Sequence, residues 1–327
     1  MAESLGSSCF RLVTIAVCTL GPANWAVAQN YPVRPIRLIV PSAPGGAPDI
    51  TARLIGNELT QQMNQQVVID NRPGASGVLG FDMIAKAPPD GHTVGAAIFP
   101  FSTNPGVYAK LPYDTERDFQ AVIRQHTGSN ILTVTPSLPV RSVRDLIAHA
   151  KANPDKLLYG STGGGTTNVL TVEMFKMMTG TRIMQVNYKG IQQAIAEMIA
   201  GQIHIVCDNT PSILPHVRAN RVRALAVTTL KRSHSAPEIP TVDESGLPGF
   251  ELATWSGYMV QAAVPRNIVM RLNAEIGKAL TLPAVADRLM SLGYTPVGGT
   301  PEEFAQLIRS ETAKWAKVIK AASIKPQ

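Results

Sequence analysis

Ile36-Arg37-Leu38-Ile39-Val40-Pro41-Ser42-Ala43-Pro44-Gly45-Gly46-Ala47-Pro48-Asp49-Ile50 is the stretch from which the fold can be read. Ile36 to Val40 is a short run rich in β-branched residues and ended by Pro41, which predicts a strand. From Ile50 to Met63, apolar residues recur at Ile50, Leu54, Ile55 and Leu59, the spacing of one helix face. Between them lies a loop of glycine, proline and small residues. A strand, loop and helix in this order put the loop at the sheet edge where α/β folds bind ligands.

The same unit recurs along the chain. Val67 to Ile69 predicts a strand closed by the turn Asn71-Arg72-Pro73-Gly74, and Thr93 to Phe99, Ala121 to Arg124 and Ile131 to Thr135 predict further strands. A helix over Val143 to Ala152 and a strand over Leu157 to Tyr159 follow. After Gly165 a helix is expected to about Met178, then a strand at Ile183 to Val186, a helix at Gln192 to Ala200, and strands at Ile203 to Val206 and Ala224 to Val227. Strands separated by helices predict a largely parallel sheet. Past Pro248, Trp255 to Gln261 reads as a strand returning to the first unit, with helices over Pro265 to Leu280, Pro283 to Leu292 and Pro301 to Ala322. The expected fold is therefore α/β with two lobes. Crossings near 127 and 250 make lobe 1 discontinuous, 29–127 with 251–327, and lobe 2 the inserted 128–250. Two crossings make a hinge, and ligands favour the cleft beside one.

Length and composition agree with two packed lobes: 327 residues, 45% of them hydrophobic and 16% charged. The balance is basic, 30 Lys and Arg against 23 Asp and Glu. The cations are scattered, densest at Arg218, Arg221, Arg223 and at Lys231, Arg232, with no aromatic residues interleaved as stacking platforms, which argues against a nucleic-acid partner. A net positive field still favours the arrival of anions.

The compartment is read from the first residues. Arg11 precedes an apolar run from Leu12 to Leu20, then Gly21, Pro22 and the small triplet Ala26-Val27-Ala28 before Gln29, the pattern of a cleavable export signal over residues 1–28. The run is too short to span a bilayer, and no other apolar segment is longer. A periplasmic location is expected. Val17 stands before Cys18 where a lipid-modified cysteine needs a small residue. Once Cys9 and Cys18 are removed with the signal, Cys207 remains alone, so stability must come from core burial without a disulfide.

Two loops are the strongest binding candidates. In the first, Ala43, Gly45, Gly46 and Ala47 offer close backbone approach and free N–H groups at a helix start, which suit an anion. The same loop also reads as a tight turn in which Asp49 caps the helix. The second, Ser161-Thr162-Gly163-Gly164-Gly165-Thr166-Thr167, repeats the arrangement in lobe 2 and adds hydroxyls at Ser161, Thr166 and Thr167. It lacks the Lys-Ser/Thr pair of a P-loop and the spacing of a dinucleotide fingerprint. One anion-ready helix start in each lobe suggests a ligand bridged across the cleft. Ser102 and Asn104 after the third strand, Lys189 in Tyr188-Lys189-Gly190, and Asp208 in Asp208-Asn209 are further candidates. Lys189 also reads as solvated, and Asp208 as a cap for the turn before Pro211.

A search for catalysis finds no G-x-S-x-G elbow and no H-E-x-x-H, and the six histidines show no metal spacing. No enzyme activity, metal or cofactor is expected.

Taken together, these residues resemble the Bug family, the extracytoplasmic solute receptors of tripartite tricarboxylate transporters. The resemblance covers nearly the whole mature chain. It rests on Tyr31-Pro32 with Pro35-Ile36, the Ala43-Pro44-Gly45-Gly46 loop with Asp49, Asn71-Arg72-Pro73-Gly74-Ala75 with Gly77, and Pro89-Asp90-Gly91. Leu111-Pro112-Tyr113, Tyr188-Lys189-Gly190, Asp208-Asn209, Arg223 to Thr228, and Gly299-Thr300-Pro301-Glu302-Glu303-Phe304 continue it. The resemblance implies a periplasmic-binding-protein (Venus-flytrap) fold that holds a di- or tricarboxylate or related organic acid, without a cofactor, between the first loop and the helix after the Ser161 loop. Its implied partners are the membrane permease subunits of such a transporter or, as the rival reading, the ectodomain of a sensor kinase. The receptor itself is expected to be a monomer. The chain departs from the family at Ser42, where an aromatic residue is usual, at Val169, where a His is usual, and at Cys207, where a Phe is usual.

Overall fold

The computed structural model of the chain describes residues 31–321, so the export signal expected over 1–28 lies outside the described residues. Strand β1 (Ile36–Val40) leads into helix α1 (Ala47–Met63). Strands β2 (Val67–Asn71) and β3 (Thr93–Ile98) flank β1, both parallel to it. Leu38, Ile39 and Val40 are all buried, and since successive side chains point to opposite faces, both faces of β1 are covered. That is why this strand reads as an unbroken apolar run.

Three helices lie where the sequence predicts none, α2 (Val78–Ala85), α3 (Pro100–Val107) and α7 (Thr210–Arg218). Gly80 in α2 and Pro105 in α3 are unfavourable inside helices, but packing decides here. Gly80 lets α2 lie against Pro41, where an added Cβ would come within 2.9 Å of the proline ring. Phe101 of α3 joins Phe81, Tyr113 and Phe119 in a cluster of edge-on and stacked rings.

The chain then forms one long strand, β4 (Phe119–Val134), where the sequence predicts two. The polar residues Gln125, His126 and Thr127 look like a loop, yet they are held between two partners. β9 (Ala253–Gln261) pairs antiparallel with β4 from Phe119 to Ser129, and β10 (Tyr294–Gly298) pairs antiparallel with it on the other side from Arg124 to Gly128. Past Ser129, β4 changes partners. Asn130 to Val134 pairs with β7 (Ile205–Asn209), and Ile131 to Val134 with β8 (Arg223–Val227), again antiparallel. Register shifts near Ala121, Arg124 and Leu132 bend the strand as it passes from one set of partners to the other. β5 (Leu158–Ser161) runs parallel to β7 and to β6 (Met184–Asn187). The strand order is β2-β1-β3-β9-β4-β7-β5-β6, with β10 and β8 also on β4. The sheet is thus mixed, not largely parallel, because β4 and β9 run against their neighbours.

This change of partners divides the α/β fold into two lobes, and lobe 1 is discontinuous because β9, β10 and the last helices return to it. Those helices are α8 (Arg266–Thr281), α9 (Pro283–Ser291) and α10 (Pro301–Ala321). The second lobe carries α4 (Val143–Ala152), α5 (Thr167–Thr179), α6 (Ile191–Ile199) and α7 (Thr210–Arg218). The Ser142 hydroxyl accepts the Asp145 N–H at 3.1 Å and so starts α4 with a side-chain cap. Ile131, Ile195, Met198, Val206 and Ile213 centre a separate core between α6, α7 and the strands.

Candidate functional site

A cavity of about 640 Å³ lies where the two lobes meet. Its walls come from the loop after β1, the turn at Pro73 to Gly77, the end of β3, the middle of β4, the start of β9, Tyr294, and, from the second lobe, the starts of α5, α6 and α7. Much of the lining is apolar or aromatic, notably Phe99, Trp255, Tyr188 and Tyr294.

Among the helix starts that line the cavity, those of α1 in the first lobe and α5 in the second lack a side-chain cap, as do those of α6 and α7. The N-cap of α1 is Gly46, which has no side chain. At α5 the N-cap is Thr166, whose hydroxyl turns away to the Gly163 carbonyl and to Asn168 Oδ1, each at 2.6 Å. The first N–H groups of a helix have no partner within it, and the helix dipole adds positive potential there. Each lobe therefore presents an uncapped helix start, α1 or α5, to one enclosed space.

Of the residues singled out in the sequence, Ala43, Gly46, Ala47, Thr166, Thr167, Lys189 and Asp208 line the cavity. Gly45, Asp49, Ser102, Asn104, Ser161, Gly163 and Gly165 do not, and each has another task. Gly45, at φ +76°, donates its N–H to Asp49 Oδ2 at 2.9 Å. Burial opposes ionisation of Asp49, but bonds from Arg53, the Gly45 N–H and Asn71 outweigh it and hold its pKa below the ordinary 3.8. Asp49 thus locks the loop that presents Gly46. Ser102 donates to the Phe99 carbonyl at 2.9 Å, and Ser161 to Asn187 Oδ1 at 2.6 Å.

Gly163, Gly165 and Asn104 are brought together, though not around the cavity. The Thr103 hydroxyl donates to the Gly165 carbonyl at 2.5 Å, and a Cβ on Gly165 would stand 2.6 Å from Asn104 Oδ1. Gly163, at φ +123°, has no room for a Cβ either, which would lie 2.8 Å from Ser76 Oγ. The glycine loop of the second lobe is therefore seated on α3 and on the Ser76 turn of the first. These glycines make a seam between the lobes.

Sequence reasoning missed His126, Trp255 and Tyr294, which line the cavity between the lobes. His126 stacks on Tyr294 with ring centres 3.8 Å apart. Complete burial, and then the nearby Arg124 charge, lower its pKa to about 3, so the imidazole is neutral. Among the described residues, its buried Nδ1 has no hydrogen-bond partner. The signal that could have found it is a polar residue inside a strand that continues through Thr127.

Asp208, near the end of β7, is the one carboxylate among the lining residues. Burial pushes its pKa up to about 6, although the Asn209 N–H and the Ser212, Asn168 and Asn209 side chains favour its charge. Lys189 is the one Lys or Arg in the lining, and it is exposed. The arrangement can enclose a small anion on backbone N–H groups, against aromatic walls.

Trp255 gives the cavity an optical probe. Of the three tryptophans, Trp25 lies in the segment outside the described residues, and Trp315 is buried with its Nε1 donating to Glu311 at 2.8 Å. Filling the cavity should change the emission of the wild type and of Trp315→Phe but not of Trp255→Phe. A response that survives Trp255→Phe would place the ligand elsewhere.

Comparison with known proteins bears on this geometry. Residues 51–324 match the family model described as the tripartite tricarboxylate transporter family receptor. BugT of Bordetella pertussis is 33% identical over 316 residues, covering 96% of this chain and 97% of its own. A solved R. palustris protein with adipate superposes with a TM-score of 0.88 at 38% identity, covering 91% of this chain and 100% of its own. MatC from Rhodopseudomonas palustris, with bound malate, superposes at 0.84 with 28% identity, covering 88% and 100%. With its two-lobed fold, its cleft and a match over most of its length, this chain belongs to the Bug family of tripartite tricarboxylate transporter receptors.

Proposed function

We propose that this chain is a periplasmic receptor that captures a small carboxylate between its lobes and delivers it to the membrane permease subunits of a tripartite tricarboxylate transporter, without chemistry on the ligand. The observation that carries this reading is the pair of uncapped helix starts, α1 and α5, facing one cavity from opposite lobes. The adipate and malate of the two solved relatives support a carboxylate. In this reading residues 1–28 are removed on export, lobe 1 is 29–127 with 251–327, and lobe 2 is 128–250.

A ligand that binds only the native state stabilises it by mass action, about 2.7 kcal/mol at a hundredfold excess over Kd. The purified exported protein should therefore melt several degrees higher with at least one carboxylate from a broad panel. Gly46→Val should remove that shift. Its φ of −75° suits valine, while the added side chain would crowd Ser42 Oγ at 3.1 Å and the loop that receives the anion. A panel in which sugars or amines raise the melting temperature and no carboxylate does would overturn the anion reading.

A further inference from the structure

We propose that Asp208 is a specificity-determining residue that contacts the ligand, and that the cleft takes up its carboxylate together with one proton shared between the ligand carboxyl and the Asp208 carboxyl. This rests on the carboxylate reading above and goes further.

Asp208 lines the same cavity as the start of α5, and its carboxyl is held near Asn168, the second residue of that helix. Asn168 in turn donates to Thr162 Oγ1 at 3.0 Å and receives the Thr162 N–H on its Oδ1. A carboxylate seated on the first turn of α5 therefore has Asp208 as a neighbour. Two neighbouring carboxylates in one enclosed site disfavour each other's charge, and a cation or a proton between them relieves that repulsion.

Among the described residues lining the cavity, the one Lys or Arg is Lys189, whose exposed ammonium is held in solvent, so no buried cation faces Asp208. On β4, His126 is neutral and stacked on Tyr294, with Arg124 outside the cavity lining. On α5, Glu173 and Lys176 pair with each other at 2.8 Å, and Glu173 accepts the Tyr159 hydroxyl. Before α6, the Tyr188 hydroxyl donates to Glu197 at 2.7 Å, and Lys189 is exposed to solvent. His216 and Arg218 lie in the last turn of α7, far along the helix from Ser212 at the cavity. On β7 itself, the buried Cys207 thiol is neutral, and Tyr294 from β10 is a phenol. What remains is a proton. It comes from the buffer, forms one O–H bond on either carboxyl, and is shared as an O–H···O hydrogen bond, which is shorter and stronger when charged. The raised pKa of the empty Asp208 makes that proton easy to hold.

Titration calorimetry of the purified exported protein tests this, with adipate, malate, citrate, glutarate and benzoate as probes. Each is fully ionised at pH 7.5 or nearly so, and phosphate, HEPES and Tris differ in ionisation enthalpy. The dependence of binding enthalpy on buffer should report close to one proton taken up per carboxylate. Between pH 7 and 8.5 the affinity should fall about tenfold per unit for a one-proton linkage. In Asp208→Asn both the uptake and the pH slope should vanish. Should that variant fail to fold, the infrared difference spectrum of the wild type still decides, since binding must add the carbonyl stretch of a protonated carboxylic acid. Binding with no proton uptake, or uptake unchanged in Asp208→Asn, overturns the inference and leaves the carboxylate reading standing. No binding by any of the probes overturns both.

Discussion

Gly165→Val is expected to fold normally and to lose carboxylate affinity by about thirtyfold or more. Gly165 does not adopt a positive φ, so valine imposes no backbone strain on its own loop. The conflict is across the seam: the new Cβ would stand 2.6 Å from Asn104 Oδ1, 2.9 Å from Thr103 Oγ1 and 3.2 Å from Val107 Cγ2, all on α3 of the other lobe. Asn104 and Thr103 are buried and cannot swing aside. Overpacking of this kind costs about 1–3 kcal/mol, and the lost Thr103 to Gly165 bond adds about 1 kcal/mol. Both costs fall on the closed arrangement and vanish when the lobes separate, so they appear as lost affinity at about 1.4 kcal/mol per factor of ten, while the fold is spared. Calorimetric titration beside small-angle scattering measures both. A folded valine variant that closes and binds like the wild type would show that the seam does not control closure.

How legible this was in the sequence differs from element to element. β1, α4 and the Gly46 loop were readable because pattern and packing agree there: an apolar run buried on both faces, a helix with a serine cap, and a loop pinned by Asp49. The elements that escaped are those where tertiary contacts overrule local preference. α3 contains Pro105, α7 contains Pro211 and Pro215, and β10 contains Pro296. β4 hides its continuity behind Gln125, His126 and Gly128, since their backbone is paired by strands far off in sequence. The same blind spot explains the site. Its backbone pole follows from glycine loops before helices, a local signal, whereas His126, Trp255 and Tyr294 converge only because β9 and β10 return to flank β4. The glycines Gly163 and Gly165 were readable as special positions. Their purpose was not, since they meet Ser76 and Asn104 across the lobes, far off in sequence.

The second large effect concerns stability without ligand. A shift of Asp208 from the ordinary 3.8 to about 6 means that the folded chain binds this proton more tightly than the unfolded chain does. Its contribution is therefore favourable and complete below pH 3.8, and is lost as the pH rises through 6. Above that, the ionised buried carboxylate is a standing cost of roughly 3 kcal/mol, from about 1.4 kcal/mol per unit. Asp208→Asn keeps the shape and removes the charge, so at pH 7.5 the ligand-free variant should melt several degrees above the wild type, since 1 kcal/mol shifts Tm by about 2–4 °C in chains of 150–250 residues and by less in a longer one. The gap should close as the pH falls below about 4. Asp49, Asp70 and Asp90 have lowered pKa values, so the stability they confer is present above their ordinary 3.8 and is lost on acidification in both proteins alike. The informative quantity is thus the difference between the two melting curves at each pH. A variant less stable than the wild type at pH 7.5 would mean that Asn209, Ser212 and Asn168 fully compensate the buried charge. A more stable one would mark Asp208 as a residue kept at the expense of the fold, as expected where binding needs a carboxyl that the core does not.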